Sequence, residues 1–595
     1  MTPSLQGELT QNDWSVGEVR DVAPTLISPV GAYGMTDVLL DEDGNPYRRG
    51  GTEYLSGAGL GAAGLTWTWS GFLLPGARTL VANSSDFGVL SADDSTIANL
   101  GGSGLSVPKQ SAVLEDLLYI GGGTLYGGSR KTAVYSTGTV KVTQGSKTVT
   151  GSGTTWNTLV DAGMLFHIGT ERVYVVASID STTQITLRDA YEGSSGEGKS
   201  YTLNPVWTVG SDPYDAFDYV TVCANRFVFA SGRTIKFTDV RSGVINPHSF
   251  TNKLGTTNEH TVPQGVEING LATVAQTVLV FTTAGVWTLD GLALDITDLN
   301  GNAQHRLQVL STDIVLASAA GIASYNQQLV VPAGDGVYLM DGVSQPVRIS
   351  KPIGRQYRQR IADGYRIGGA KVYRSHYLMP VITGSSKVKE VRVCRLDRPT
   401  RDRDQTIYPW SQLKGDGGKV ACYAIRTTAA PQEPKLLGTQ TSAPSRLMDC
   451  SGYFEPRASN KTDADGTWPD LDVISRAYPT GEDTLNVLRA IRARYELVDN
   501  GDEAKLAFSY NDGSAKGTGS KWGQMKWGQA KWGGSSGAWI PIGELGPSDG
   551  RDPGKLRVNK RFRHVRLRAR SVGPAALCVL RSLELKTRPS GATRR

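Results

Sequence analysis

Cysteine is scarce in this chain. The 595 residues hold five, Cys223, Cys394, Cys422, Cys450 and Cys578. The number is odd, the spacing is wide and no two form a C-x-x-C pair, which argues against a disulfide scaffold and against a zinc knuckle. The favoured reading is reduced, mostly buried thiols. Long apolar runs are missing too. No window holds about 18 consecutive apolar residues, so no transmembrane helix is expected. The stretch Met1–Thr10 has neither a basic n-region nor an apolar h-region, so a secretory signal is not expected. The six histidines, His167, His248, His260, His305, His376 and His564, are scattered, with no pair at i,i+4 and no H-E-x-x-H. G-x-S-x-G and the Walker loop are absent, and nothing marks a pair of catalytic carboxylates. No enzyme activity, cofactor or metal site is expected.

Glycine is abundant, at 71 residues, or about 12% against a usual share of about 7%. It has no Gly-X-Y period, which excludes collagen. Glycine spread between short apolar runs implies many tight turns and many short strands. A β-rich run, a turn and a second run recur, often ending in Asp-Gly. Examples start at Leu117, Phe227, Val278 and Leu329, and Tyr377–Ile382 reads as another. Successive starts from Phe227 lie 51, 51 and 48 residues apart. A period near 50 with paired strands in each unit is the pattern of propeller blades, which cover each other's apolar faces around an axis. About six blades fit, counting earlier runs such as Thr79–Ala82.

The spacing breaks between Leu117 and Phe227. The surplus coincides with a succession of short strands between Ser136 and Leu203, where Val140, Val142 and Val149 mark a buried face and Trp156 is read as a core anchor. The expected organisation follows: an N-terminal segment (1–50), a discontinuous β-propeller (51–135 and 204–393), an inserted small β-barrel or sandwich (136–203), and a C-terminal β-rich region (394–595). Helix signals are few; Pro352–Ala362 is one, with Pro near its start.

Two glycine- or acid-rich motifs are set aside. Gly59–Gly64 fits G-x-G-x-x-G, but the alternating Leu65–Ser70 that follows is a strand, whereas a dinucleotide site needs a helix there. Asp41–Asn45 begins like a calcium loop, but Thr52 stands where the bidentate acid belongs, so a hairpin turn is the better reading.

Charge is uneven. Residues 555–595 carry 13 basic residues and one acid, a net +12; the rest has 50 basic and 55 acidic residues, a net −5. Near the end Val565, Leu567 and Ala569 alternate with Arg566, Arg568 and Arg570, a strand with one apolar and one basic face. This face, with Arg561 and Arg563, is a candidate subunit contact. Docking on an acidic neighbour is the favoured reading, with DNA contact and a solvated face as the others. A Lys-Trp-Gly repeat of period five places Trp522, Trp527 and Trp532 as further candidate contacts, against the plainer reading of a self-packed hairpin rim.

Several stretches together resemble a family of tail nozzle proteins of short-tailed bacteriophages, also called tail tubular protein B. The residues are Val19–Pro24, Gly34–Leu40 and Asn45–Thr52, the last containing Arg48-Arg49-Gly50-Gly51. The Trp-Gly repeat, the Arg-rich strand and Arg581–Leu585 resemble the C-terminal parts of such proteins. The resemblance implies a mainly β structural virion protein, a β-propeller with extra β domains. Six copies would form a ring below the portal and adaptor that extends the DNA channel, retains packaged DNA and permits its ejection. Implied partners are further copies of the chain, adaptor or portal-proximal tail proteins, tail fibres or spikes, and transiting double-stranded DNA. The implied location is the virion tail, assembled in the host cytoplasm. The alternatives are a neck or tail-tip component of a long-tailed phage, or a propeller that binds or degrades glycans.

Overall fold

A computed structural model describes the chain outside residues 1–7, 23, 25, 56–59, 61–62, 74–75, 102–103, 106–108, 170, 209–215, 239, 242–243, 246–257, 293–304, 384–386, 403–404, 415–417, 428–432, 442–445, 456–461, 465–468, 480–485, 500–503, 512–538, 563, 574 and 590–595. Six four-stranded antiparallel sheets form a β-propeller. The innermost strands of blades one to six are Trp67–Leu73, Ser111–Leu114, Tyr219–Cys223, Ile268–Val274, Ala323–Tyr325 and Val420–Arg426. The second strands read Leu117–Ile120, Arg226–Ser231, Thr277–Thr282 and Gln328–Pro332 in blades two to five. They are buried almost throughout, as continuous apolar runs covered on both faces must be.

The turns between first and second strands explain the recurring pattern. Glu115–Asp116, Ala224–Asn225 and Asn326–Gln327 each place two consecutive residues at positive φ, the two-residue connection whose twist matches that of the flanking strands. From the first blade to the fifth, neighbouring blades share one core each. Trp67, Leu80, Leu118 and Tyr126 fill the first interface. Tyr119, Val220 and Phe229 fill the second. Val228, Ile235, Leu271 and Val280 fill the third, and Leu279, Phe281, Leu329 and Val331 the fourth.

The ring differs from the expectation at its end. Tyr377–Ile382 is no blade strand. Its strand, His376–Ile382, pairs with Val388–Arg395 in a separate twelve-stranded sheet. The sixth blade is built from Val420–Arg426, Lys435–Gln440 and Leu447–Asp449, and Glu53–Tyr54 completes it from the other end of the chain. Taking the last strand from the opposite end fastens a propeller ring, which otherwise has a free sheet edge at its seam. The propeller thus reaches past residue 393, and residues 394–595 are not a separate C-terminal unit.

The chain ends are interleaved as well. In the twelve-stranded sheet Gly31–Thr36 lies next to Asp472–Ser475, which pairs with His564–Val572. In a seven-stranded sheet Ala575–Pro589 pairs with Asn486–Asp499, Glu8–Gln11 and Tyr47. Between these two sheets lies the largest core, with Trp14, Met35, Ile491, Phe508, Leu567 and Leu583. The N-terminal segment therefore joins the C-terminal strands.

The remaining strands, from Thr139–Val142 to Thr202–Asn204, form a seven-stranded sheet within the second blade's connection. Trp156 is fully buried in its core and donates from Nε1 to the Tyr201 hydroxyl at 2.9 Å. The expected helix runs Gly354–Ala362 after a tight turn at Lys351–Ile353. Asp41 closes its hairpin by accepting from the backbone N–H groups of Asp43 and Asn45. All five cysteines are free and buried.

Candidate functional site

Three clusters of polar side chains stand out: the basic strand, a buried arginine hub and the propeller axis. In the strand His564–Val572, Val565, Leu567 and Ala569 face the core, and the intervening arginines face outward. Arg568 donates from Nε and Nη2 to the two carboxylate oxygens of Asp472 at 2.8 and 2.6 Å. This side-chain bonding to Asp472 raises its pKa above the usual arginine value. Arg570 donates to Asp470. Arg566 lies over the rings of Tyr33 and Trp539, at 5.0 and 5.9 Å from their centroids. The basic face is thus partnered within its own chain. Its acceptors Asp470 and Asp472 were not read from the sequence, though their two-residue spacing matches that of the arginines. Arg561 lies in the strand Gly554–Phe562. Arg563, Trp522, Trp527 and Trp532 fall outside the described residues.

The hub centres on Arg49. Its guanidinium is fully buried and all its donors are used. Nε donates to Asp37 at 2.9 Å; Nη1 and Nη2 each donate to Asp463 at 2.7 Å; Gly50 and Lys414 carbonyls accept the rest at 2.9 and 3.0 Å. Burial alone would lower its pKa, but the carboxylates of Asp463 and Asp37 overcome this and hold it charged. The two glycines that follow leave no room for a side chain. A Cβ on Gly50 would stand 1.9 Å from the Gly452 carbonyl oxygen, and one on Gly51 1.7 Å from that of Thr462. Thr52 Oγ1 then accepts from the Ala464 N–H at 3.0 Å. A second buried network joins Glu18 to Arg392 at 3.1 Å, and Arg392 to Glu390 at 3.3 Å. Glu390 also accepts from Gln412 and, on the helix, Arg360.

At the axis the inner strands surround a cavity of about 420 Å³. Every blade contributes. The strands of the first two blades line it with their first residues, Trp67 and Ser111, and the others with residues further along, such as Val220, Leu271, Ser324 and Cys422. The lining carries hydroxyls and two lysines, Lys109 and Lys371, and among the described residues no carboxylate. Lys371 enters on the strand Lys371–Tyr373, where the preceding Gly369 runs parallel to Cys422 in the sixth blade. A Cβ on Gly369 would stand 2.2 Å from the Cys422 sulfur. The thiol pKa of Cys422 is pushed up to about 11 by burial.

These features define a six-bladed propeller protein with additional β sheets. No family model matches the chain, and no curated protein matches it. Among solved structures it is similar to Hsv2 of Kluyvelomyces marxianus, at 9% identity and a TM-score of 0.27 over 70% of this chain and 94% of that one. The assignment of six blades rests on the strand pairing itself.

Proposed function

We propose that the chain is a structural virion protein, a ring-forming tail nozzle or hub of a short-tailed bacteriophage. It would extend the DNA channel below the portal and adaptor, retain packaged DNA and permit its ejection. The observation that carries this reading is the use made of the segment that resembles the nozzle family. Arg49, Gly50, Gly51 and Thr52 fasten the ring closure at Glu53–Tyr54 to the sheets built from both chain ends. Buried ionic groups here hold strands together: Arg49 with Asp37 and Asp463, Arg392 with Glu18 and Glu390. A part that transmits force without chemistry is served by such links, because breaking a buried pair leaves an uncompensated charge.

A closed ring repeats one pair of heterologous patches around its axis. Electron microscopy of virions carrying a label on this chain should find it at the tail, below the portal. Native mass spectrometry of the assembled tail should count six copies. A label on peripheral fibres, or a two- or three-fold count, would reject the reading.

A further inference from the structure

We infer that the axial cavity is a binding site for a small oxyanion, of phosphate or carboxylate chemistry, held by Lys371 and Lys109. The inference is independent of the tail reading. The two lysines reach the cavity from opposite parts of the fold, Lys109 ahead of the second blade and Lys371 between the fifth and sixth. Among the described residues neither ammonium has a carboxylate partner, and no acid stands in the lining. With two lysines and no acid among the described residues of its lining, the cavity carries a positive potential. Hydroxyls share the lining with them: Thr221 and Thr273, which bond each other at 2.9 Å, and Ser111 and Ser324. Lysine ammoniums with hydroxyl donors are the groups that hold phosphate or carboxylate oxygens.

The cavity volume of about 420 Å³ lies within the range of small-ligand sites, roughly 300–1,000 Å³. Lys371 reaches water, and desolvation by the protein around it pulls its pKa below the ordinary lysine value. A bound anion would oppose that effect. The pair Gln110–Leu271 fixes the geometry: Gln110 Nε2 donates to the Leu271 carbonyl at 2.6 Å, and the Leu271 N–H donates to Gln110 Oε1 at 3.2 Å. These two hydrogen bonds tie the approach of Lys109 to the inner strand of the fourth blade.

The test uses the full chain and inorganic phosphate at constant ionic strength, with chloride as the reference. Calorimetry should show one saturable site, weakened about tenfold or more in Lys371→Met and in Lys109→Met. Lys351→Met, at an exposed lysine, should bind as the parent does. A second readout needs no variant. Phosphate should protect Lys371 and Lys109, but not Lys351, from acylation followed by peptide mass spectrometry. Equal binding by parent and both variants, an adventitious ion only, would overturn the inference. So would the absence of saturable binding, or of selective protection.

Discussion

Single residues carry much of this architecture, and Arg49 carries the most. Its five donors meet two carboxylates and two carbonyls with no water between them. Arg49→Met would take from the buried Asp37 and Asp463 the guanidinium they share, at a cost of about 3–5 kcal/mol. Urea unfolding should register this as a lower midpoint. Arg49→Lys should recover little, because an ammonium lacks the planar fork that meets Asp463 with two parallel bonds. His376 acts differently. Its ring is buried, Nδ1 donates to the Arg374 carbonyl at 2.6 Å, and burial lowers its pKa from 6.5 to about 4. Between those values the unfolded chain binds a proton that the folded chain refuses. Stability from this group is therefore complete above pH 6.5 and lost as pH falls toward 4, by up to about 3 kcal/mol. His376→Gln should flatten the fall of stability between pH 6.5 and 4. An unchanged slope would mean that another group sets it.

At the scale of elements, the basic strand shows what local pattern reveals and what it hides. Its alternation was legible: Val565, Leu567 and Ala569 are buried and the arginines are not. Its partners were not legible, because Asp470 and Asp472 lie about a hundred residues earlier and meet it only in the folded sheet. The Arg568–Asp472 pair is partly exposed, so a double-mutant cycle with Arg568→Gln and Asp472→Asn should give a coupling of about 0.5–1 kcal/mol. The triple change of Arg566, Arg568 and Arg570 to Gln should lower the melting point of the isolated chain. If the isolated chain is unaffected while its self-association is lost, these arginines work between subunits. Tyr377–Ile382 was misread for a related reason. Arg374–Ser375 has the same double positive φ as the blade hairpins, and the local sequence encodes the hairpin without saying which sheet it enters. The axial lysines gave no signal at all. Lys109 and Lys371 are far apart in sequence, and only ring closure brings them to one cavity.

At the scale of the molecule the chain has two kinds of junction, and cutting each should have a different result. The sheet between Thr139 and Asn204 leaves and returns through one neck, where Tyr135 and Leu203 exchange both backbone hydrogen bonds, at 2.9 and 2.8 Å. Replacing 136–202 with a short Gly-Ser linker should leave the propeller folded. It would, however, strip Leu165, Val173 and Val175 from the core between the second and third blades. At about 1.5–3 kcal/mol for each buried aliphatic side chain, the remaining chain should be several kcal/mol less stable. Truncation after Gly573 is a smaller deletion with a larger effect. It removes Ala575–Pro589, the strand between Glu8–Gln11 and Asn486–Asp499, and takes Cys578, Leu580, Leu583 and Leu585 out of the largest core. The strand Gly31–Thr36 lines that core with Ala32 and Met35, and Pro46–Arg48, paired with the lost strand at Tyr47, leads directly into Arg49 and the closing strand Glu53–Tyr54. Loss of the last strand should therefore propagate to the seam of the ring. Hydrogen exchange of the truncated chain should show lost protection in residues 8–54 and in the sixth blade at 420–449, while the third and fourth blades keep theirs. If residues 8–54 stay protected after truncation, the two chain ends fold independently and the interlock described here does not hold the ring shut.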